Sequence, residues 1–238
     1  MTPITIAGAQ STSTPGDVAG NVRKHCELIA LAHVAGVHIL VFPELSLSGY
    51  ELARLQARAL LPDDACLEPI RRSARAMDMT VVVGAPLANE AGLPAIAALT
   101  FFPDGGHSVY CKQYLHPGED QYVGAGIRGG TMRSLYGEVL AHARAAANLG
   151  ASLYLAGVLV LETGYATDAS NLRRYARQFQ MGVLMANHGS PFGGYKAAGK
   201  SAFWASGGEL IAAAPGLGDG LLIVSKESGV WRGAWNAS

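Results

Sequence analysis

Cysteine is scarce in this chain of 238 residues: Cys26, Cys66 and Cys111 are its only three, and they lie far apart. An odd number without a CxxC pair excludes a framework of disulfides, and the spacing fits no metal site. The seven histidines form no HExxH or similar pair that argues for zinc. Cys26 and Cys66 fall in helical stretches with apolar periodicity, where a free cysteine packs as a small core residue.

Charge is also sparse, at 15% of the residues, and balanced, because Lys plus Arg and Asp plus Glu each total 18. Without a basic block, nucleic acid and anionic membranes are poor candidates for partners. No apolar run is long enough to cross a bilayer, and residues 1–5 lack the features of a signal peptide. We therefore expect a cytoplasmic protein.

Hydrophobic residues make up half of the chain, which is enough for a sizeable core. No linker or repeat divides the sequence, and its length fits one large α/β domain. We expect a single domain over residues 1–238.

Predicted strands and helices alternate through the first 85 residues, which indicates parallel strands joined by helices. The strands are 4–9, 38–42 and 80–85, and the helices are 18–35 and 52–77, the latter broken near Pro62. Residues 95–102 and 107–112 flank a Pro-Asp-Gly-Gly turn and form a predicted β-hairpin. The later predicted elements are helices 139–149 and 171–179, and strands 153–161, 183–186, 201–205, 209–213 and 221–225. Helices after most strands, with antiparallel hairpins among them, predict a four-layer α-β-β-α sandwich rather than a doubly wound sheet.

A carboxylate follows the most strand-like run of the chain. Residues 39–42 are all apolar, which is typical of a strand buried on both faces, and Pro43 ends the pairing because it has no N–H. Glu44 is thus placed at a strand end, where burial raises a carboxyl pKa toward the range of a general base. The local pattern alone fits an exposed glutamate at the start of a loop slightly better.

Lys112 ends the second strand of the hairpin and enters a Pro-Gly loop that contains Glu119. A lysine in this place is either a solvated charge on an edge strand or an inward-pointing cation that stabilises a developing oxyanion. Glu119 is a candidate partner of Lys112, or a second carboxylate in the same pocket.

With these two segments, the chain resembles the nitrilase superfamily of carbon–nitrogen hydrolases. The resemblance is carried by Phe-Pro-Glu-Leu at 42–45, Ser-Gly-Tyr at 48–50, Lys112, and Leu-His-Pro-Gly-Glu at 115–119. Met-Ala-Asn-His at 185–188 and Gly-Lys-Ser at 199–201 support it. The resemblance implies an α-β-β-α sandwich that hydrolyses small amides, nitriles or carbamoyl compounds without a metal or other cofactor. It also implies a homodimer.

The resemblance assigns roles to three residues of the chain. It implies that Glu44 is the general base, that Lys112 stabilises the tetrahedral intermediate, and that Glu119 is a supporting carboxylate that positions substrate or lysine. The nucleophile of the family is a cysteine, which is activated when the base removes its proton.

The position of that nucleophile departs from the family pattern. The family has Cys, then Asp two residues later, then Pro, followed by a helix that ends near Gly-Ala. Counting back from the Gly-Ala pair at 150–151 places Ser134 at the cysteine position, with Tyr136 for the Asp and Leu140 for the Pro. Ser134 is therefore the candidate nucleophile.

Three explanations of this departure stay open. Ser134 replaces the cysteine and is a weaker nucleophile, because a hydroxyl has a far higher pKa than a thiol. Alternatively, the short Gly-rich segment 121–133 has lost the strand that delivers the nucleophile, and the chain is a catalytically silent scaffold that binds a small amide or a partner protein. Thirdly, Cys111 attacks instead, although neighbours on a strand face opposite sides, so Cys111 and Lys112 should not share a pocket. A chance match within an ordinary ligand-binding domain would require a solvent-facing Lys112.

Overall fold

The computed structural model describes residues 3–89, 92–126, 140–191 and 194–238. In chain order, its strands and α-helices are β1 (Ile4–Gln10), α1 (Val18–Val34), β2 (Ile39–Val41), α2 (Glu68–Ala76), β3 (Thr80–Leu87), β4 (Ala95–Phe101), β5 (His107–Cys111), α3 (Leu140–Asn148), β6 (Leu153–Val158), α4 (Tyr165–Phe179), β7 (Gly182–Asn187), β8 (Ala202–Trp204), β9 (Leu210–Ala213), β10 (Gly220–Glu227) and β11 (Val230–Ala237).

The described strands form two sheets. The larger sheet has the order β11-β10-β1-β2-β3-β4-β5, and the smaller has the order β6-β7-β8-β9. The pairs β1–β2, β2–β3 and β6–β7 are parallel, because a helix lies between the two strands of each pair along the chain. The other pairs are antiparallel. The carboxyl ends of the parallel strands therefore meet at one edge of each sheet, which is a common location for a site in α/β folds.

Three apolar clusters show how the layers stack. The first packs α1 and α2 against the larger sheet, and the second packs α3 and α4 against the smaller sheet. The third lies between the sheets and joins Ile6 and Val41 of one to Leu184 and Phe203 of the other. Successive strand residues alternate between clusters: Ile6 faces the opposite sheet, whereas Ala7 faces the helices. The chain is thus an α-β-β-α sandwich, as the sequence predicts.

The predicted helix at 52–77 is wrong in its first half. Only α2 is α-helical there, and it is preceded by three short 3₁₀ turns, Leu52–Arg54, Gln56–Arg58 and Ala65–Leu67. Between these turns Leu60 pairs with the end of β3, since its N–H donates to the Pro86 carbonyl oxygen at 2.9 Å. This tertiary pairing overrides the helix propensity of an Ala/Arg/Leu-rich segment. In the part of the chain that is described, no helix has the length and apolar character needed to cross a membrane.

Candidate active site

The loop that follows β2 carries Glu44 and crosses β3 at Gly84. A Cβ atom on Gly84 would lie 2.3 Å from the Leu45 nitrogen and 2.4 Å from the Pro43 carbonyl oxygen, so only glycine allows this crossing. Leu45 has a φ of +52°, a conformation that non-glycine residues seldom adopt. The crossing and the bend fix the backbone on both sides of Glu44.

Buried polar side chains hold the same loop from two sides. His188 follows β7 of the smaller sheet, and its Nε2 donates to the Glu44 carbonyl oxygen at 2.7 Å. His25 lies on α1, with its Nε2 2.9 Å from the Ser46 Oγ. That hydroxyl oxygen also accepts the Gly84 N–H at 3.2 Å. Glu44 is therefore positioned by contacts to a helix and to both sheets.

Burial lowers the pKa of both imidazoles. Loss of solvation lowers the pKa of His25 and of His188 from 6.5 to about 4. Both imidazoles are therefore neutral in the folded protein at pH values well above 4. Between pH 6.5 and about 4 the unfolded chain binds more protons at these two residues than the folded chain does. Stability therefore falls as the pH is lowered through this window. The loss is about 3 kcal/mol for each imidazole, at about 1.36 kcal/mol per pKa unit.

We expect the substitution His25→Gln to reduce this sensitivity to acid. The glutamine amide can still reach Ser46, but it does not titrate, so the variant loses less stability than the parent as the pH falls. Free energies of unfolding in urea, measured for both proteins between about pH 7 and about pH 4.5, provide the check. The gap in stability between parent and variant should narrow toward acid pH, and a constant gap would contradict the prediction.

Lys112 directly follows β5 and points into the sandwich. Its Nζ lies 3.2 Å from Glu44 Oε1 and 3.0 Å from Glu119 Oε1, so one ammonium group pairs with two carboxylates. The neighbouring Cys111 packs on the other side of the sheet, against the core beneath α1 and α2. Cys111 and Lys112 thus face opposite sides, and Lys112 is not a solvated charge on the sheet edge.

Glu119 is fixed by donors to both of its carboxylate oxygens. The Tyr50 hydroxyl donates to Oε1, which also accepts from Lys112. The backbone N–H of His116 donates to Oε2 at 2.8 Å. Gly118, with a φ of +91°, makes the turn that brings Glu119 back toward Lys112.

The three charged groups shift each other's pKa in different directions. Burial raises the pKa of Glu44, and the attraction of Lys112 offsets only part of this rise. Burial also opposes ionisation of Glu119, but Lys112 and the other donors outweigh it and hold the pKa below its usual value. For Lys112, burial lowers the pKa, yet the two carboxylates outweigh that effect and raise it. Of the two carboxylates, Glu44 is therefore the one that takes up a proton more readily.

Glu44 and Lys112 form part of the wall of a cavity of about 220 Å³. The other walls come from the segment 114–116, from α3, from the end of β6 and from the first half of α4. A second cavity of about 270 Å³ adjoins it, since His116 and Asp168 line both. The second cavity is walled by Tyr50 and other largely apolar side chains, and Glu119 reaches it as well. Glu44 and Lys112 thus line one cavity, Glu119 lines the other, and the two cavities share a wall.

The structure brings together three of the four predicted site residues. Glu44, Lys112 and Glu119 converge, whereas Ser134 lies outside the described residues. All three cysteines are among the described residues, and none lines either cavity. Each of them packs against the cluster between the larger sheet and its helices. In the described ranges, no group of three or more His, Cys, Asp or Glu side chains could hold a metal ion.

Sequence reasoning did not select two residues that line the site. His142 lies on α3 and Asp168 on α4, and both reach the cavity that contains Lys112. The predicted helix at 139–149 contained His142, but a helix prediction does not show which face packs near β5. The predicted helix at 171–179 began too late to include Asp168.

The sequence matches the family described as carbon-nitrogen hydrolase over residues 5–128. Solved structures of an amidase from Nesterenkonia sp. AN1, of the nitrilase superfamily, are also similar. One is 25% identical with a TM-score of 0.84, and covers 94% of this chain and 91% of that chain. Another, also 25% identical with a TM-score of 0.84, covers 93% and 90%, and shows the acetamide moiety of fluoroacetamide added covalently at the active site cysteine.

Curated relatives are similar over a smaller part of their length. A glutamine-dependent NAD(+) synthetase from Mycobacterium leprae (strain TN) is 28% identical over 157 residues, which is 60% of this chain and 22% of that protein. The same enzyme from Mycobacterium bovis (strain ATCC BAA-935 / AF2122/97) is 34% identical over 87 residues, which is 35% of this chain and 13% of that protein. The chain thus spans less than a quarter of the length of these relatives.

Proposed function

The chain belongs to the carbon–nitrogen hydrolase family, and from that premise we propose that the cavity at Glu44 and Lys112 binds a small amide and hydrolyses its carbon–nitrogen bond. The observation that carries the proposal is the position of the Lys112 Nζ, which lies within 3.2 Å of Glu44 and 3.0 Å of Glu119 in a cavity wall. The amidase neighbours and the glutamine-dependent relatives support an amide, rather than a nitrile, as substrate.

Each residue has a proposed role that follows from its charge and surroundings. Glu44 has a raised pKa and takes the proton of the attacking hydroxyl, then returns it to the leaving nitrogen. Lys112 keeps its positive charge and stabilises the negative charge that develops on the carbonyl oxygen. Glu119 holds the ammonium group of Lys112 in place while itself fixed by Tyr50.

Ser134 is the proposed nucleophile. Its support is the count from the Gly-Ala pair at 150–151, together with the placement of all three cysteines away from the cavity. Attack by Ser134 would give an acyl-enzyme ester and release ammonia, and water would then release the carboxylic acid. Because a hydroxyl is far less acidic than a thiol, we expect slow turnover.

A second candidate function is a catalytically silent member of the family that binds a small amide or a partner protein. The observation that favours it is that no cysteine lies among the described residues that line the cavity. In this alternative, Glu44 and Lys112 persist as a binding site. The expected homodimer, the cytoplasmic location and the single domain over residues 1–238 remain predictions.

Ammonia release from acetamide, propionamide and glutamine separates the two functions. We expect the parent to release ammonia, Ser134→Ala to lose this activity, and Ser134→Cys to be roughly tenfold or more faster, since a thiol with a pKa near 8.5 ionises far more readily. Activity in the Ser134→Cys variant alone would support the silent scaffold with an otherwise intact site. Unchanged activity in Ser134→Ala would show that the nucleophile is another group.

A further inference from the structure

Asp168 is a carboxylate in the wall of the cavity that contains Glu44 and Lys112, and the proposed reaction gives it no role. It lies in the first turn of α4, is half-buried, and lines both cavities. Its carboxylate forms no hydrogen bond and no ion pair with any residue that the structure describes. A half-buried carboxylate has lost part of its hydration, and Asp168 has gained no partner in exchange. Its place in a cavity wall therefore favours a ligand of positive charge.

The charge of Lys112 does not compensate that of Asp168. Lys112 is the only lysine or arginine among the described residues that line the two cavities, and its Nζ is already paired with Glu44 and Glu119 at 3.2 and 3.0 Å. The described walls thus carry three carboxyl groups and one ammonium group. Even with a proton on Glu44, the charges of Lys112 and Glu119 cancel and that of Asp168 remains. The described walls are therefore complementary to a cation.

The next turn of α4 brings no cation to Asp168. Asn171 follows three residues later on the same face of the helix and lines the cavity with Asp168. The guanidinium group of Arg174 donates to the Asn171 Oδ1 at 3.1 Å, but Arg174 lines neither cavity. Burial raises the pKa of Asp168, and His116 is the group that opposes this rise. A raised pKa is consistent with a carboxylate whose lost hydration no ion pair replaces.

We propose that the cavity at Lys112 selects small amides that carry an ammonium group, with the ammonium group paired to Asp168 and the amide carbonyl oxygen at Lys112. This inference rests on the proposed function, since it names the class of amide that the same site takes. The cavity of about 220 Å³ lies below the roughly 300–1,000 Å³ of sites for drug-sized ligands, so the amide is a short one. Asp168 is then a specificity-determining residue, which contacts the substrate away from the bond that breaks.

β-Alaninamide and butyramide form a matched pair of probes, because an ammonium group in the first replaces the terminal methyl group of the second. The ammonium group also alters the intrinsic reactivity of the amide, so the quantity compared is the ratio of the two kcat/KM values in parent and variant. We expect Asp168→Asn to lower this ratio about 10- to 100-fold, as for loss of a hydrogen bond to a charged group. The loss should fall on KM for β-alaninamide, since the ion pair is present before the transition state as well as in it.

Glu162→Gln is the matched control. Glu162 is an exposed carboxylate close to the start of α4 that lines neither cavity, so its removal should leave the ratio unchanged. A negative charge in the first turn of a helix also stabilises that helix. If this were the whole role of Asp168, the Asp168→Asn variant would have a lower unfolding midpoint and the ratio of the parent. That result, or an equal fall of the ratio in Glu162→Gln, would overturn the proposal.

Titration calorimetry provides a readout that does not depend on hydrolysis. In the Glu44→Gln background, we expect β-alaninamide to bind more tightly than butyramide, and the added Asp168→Asn substitution to remove this difference. If both expectations hold but the parent releases ammonia from neither amide, the proposed function fails and the inference stands. If the parent hydrolyses both amides while neither the kinetic ratio nor the difference in binding depends on Asp168, the inference fails and the proposed function stands.

Discussion

Replacing Lys112 by methionine should lower amide hydrolysis by about 10²–10³-fold, the loss typical of removing one oxyanion donor. The Nζ of Lys112 is the only cation among the described residues paired with Glu44 and with Glu119. Without it, two buried carboxylates face each other uncompensated. The pKa of Glu44, already raised by burial, should rise further, and Glu119 should lose the attraction that holds its own pKa low.

The measurement is kcat and KM for acetamide in the Lys112→Met variant, with Lys24→Met as a matched control. Lys24 forms an ion pair with Asp219 and lies outside the cavity, so its loss should leave hydrolysis unchanged. We expect the loss in Lys112→Met to fall mainly on kcat, because the charge on the oxygen develops in the transition state. A Lys112→Met variant with the activity of the parent would exclude the proposed oxyanion role.

The second large effect should come from Gly84→Ala, although this residue does not line the cavity. The added Cβ atom would lie 2.3 Å from the Leu45 nitrogen and 2.4 Å from the Pro43 carbonyl oxygen. These are backbone atoms, which cannot rotate out of the way as the end of a flexible side chain can. We expect a loss of about 3 kcal/mol in the free energy of unfolding, at the upper end for overpacking. Hydrolysis should fall by about 10²-fold or more even in the fraction that is folded, because a shift of about 1 Å in Glu44 misplaces the base.

Gly207→Ala is the matched control for this substitution. Its added methyl group would meet nothing within 4 Å, so stability and activity should stay near those of the parent. Urea unfolding gives the free energy of each variant, and ammonia release at a temperature where both are folded gives the activity. If Gly84→Ala were as stable and as active as Gly207→Ala, the close crossing of the Glu44 loop over β3 would be wrong.

Much of the fold follows from local pattern in the sequence. The buried run at 39–42, ended by Pro43, predicts both β2 and the turn that follows it. The hairpin of β4 and β5 is predicted equally well, because a Pro-Asp-Gly-Gly turn separates two apolar runs. Both features lie beside site residues, and for this reason Glu44 and Lys112 could be selected from the sequence.

Other parts of the fold depend on contacts that no local pattern shows. The sequence does not predict β11, because all eight of its residues are exposed or half-buried and it carries no apolar alternation. α4 begins at Tyr165, whereas the predicted helix begins at Asn171. The prediction starts late because the first residues of α4 include threonine, aspartate and serine, which have low helix propensity. The 3₁₀ turns before α2 follow from the pairing of Leu60 with the end of β3.

The candidate site divides in the same way. Glu44, Lys112 and Glu119 lie at strand ends or tight turns, and nearby proline and glycine residues indicate these places in the sequence. The contact of His188 with Glu44 joins residues 144 positions apart, and that of Tyr110 with His142 joins residues 32 positions apart. Such pairs form only when the two sheets and the outer helices pack together, so neither could be deduced from spacing along the chain.

The most direct test of the central claim is a crystal structure of the Glu44→Gln variant grown with butyramide. The substitution removes the proposed base while keeping the size of the side chain, so that the amide is held but not consumed. We predict that butyramide lies in the cavity of about 220 Å³, with its carbonyl oxygen within hydrogen-bond distance of the Lys112 Nζ and its carbonyl carbon facing residue 44. Butyramide bound only in the adjoining cavity, or a cavity at Lys112 that stays empty at saturating amide, would contradict the account.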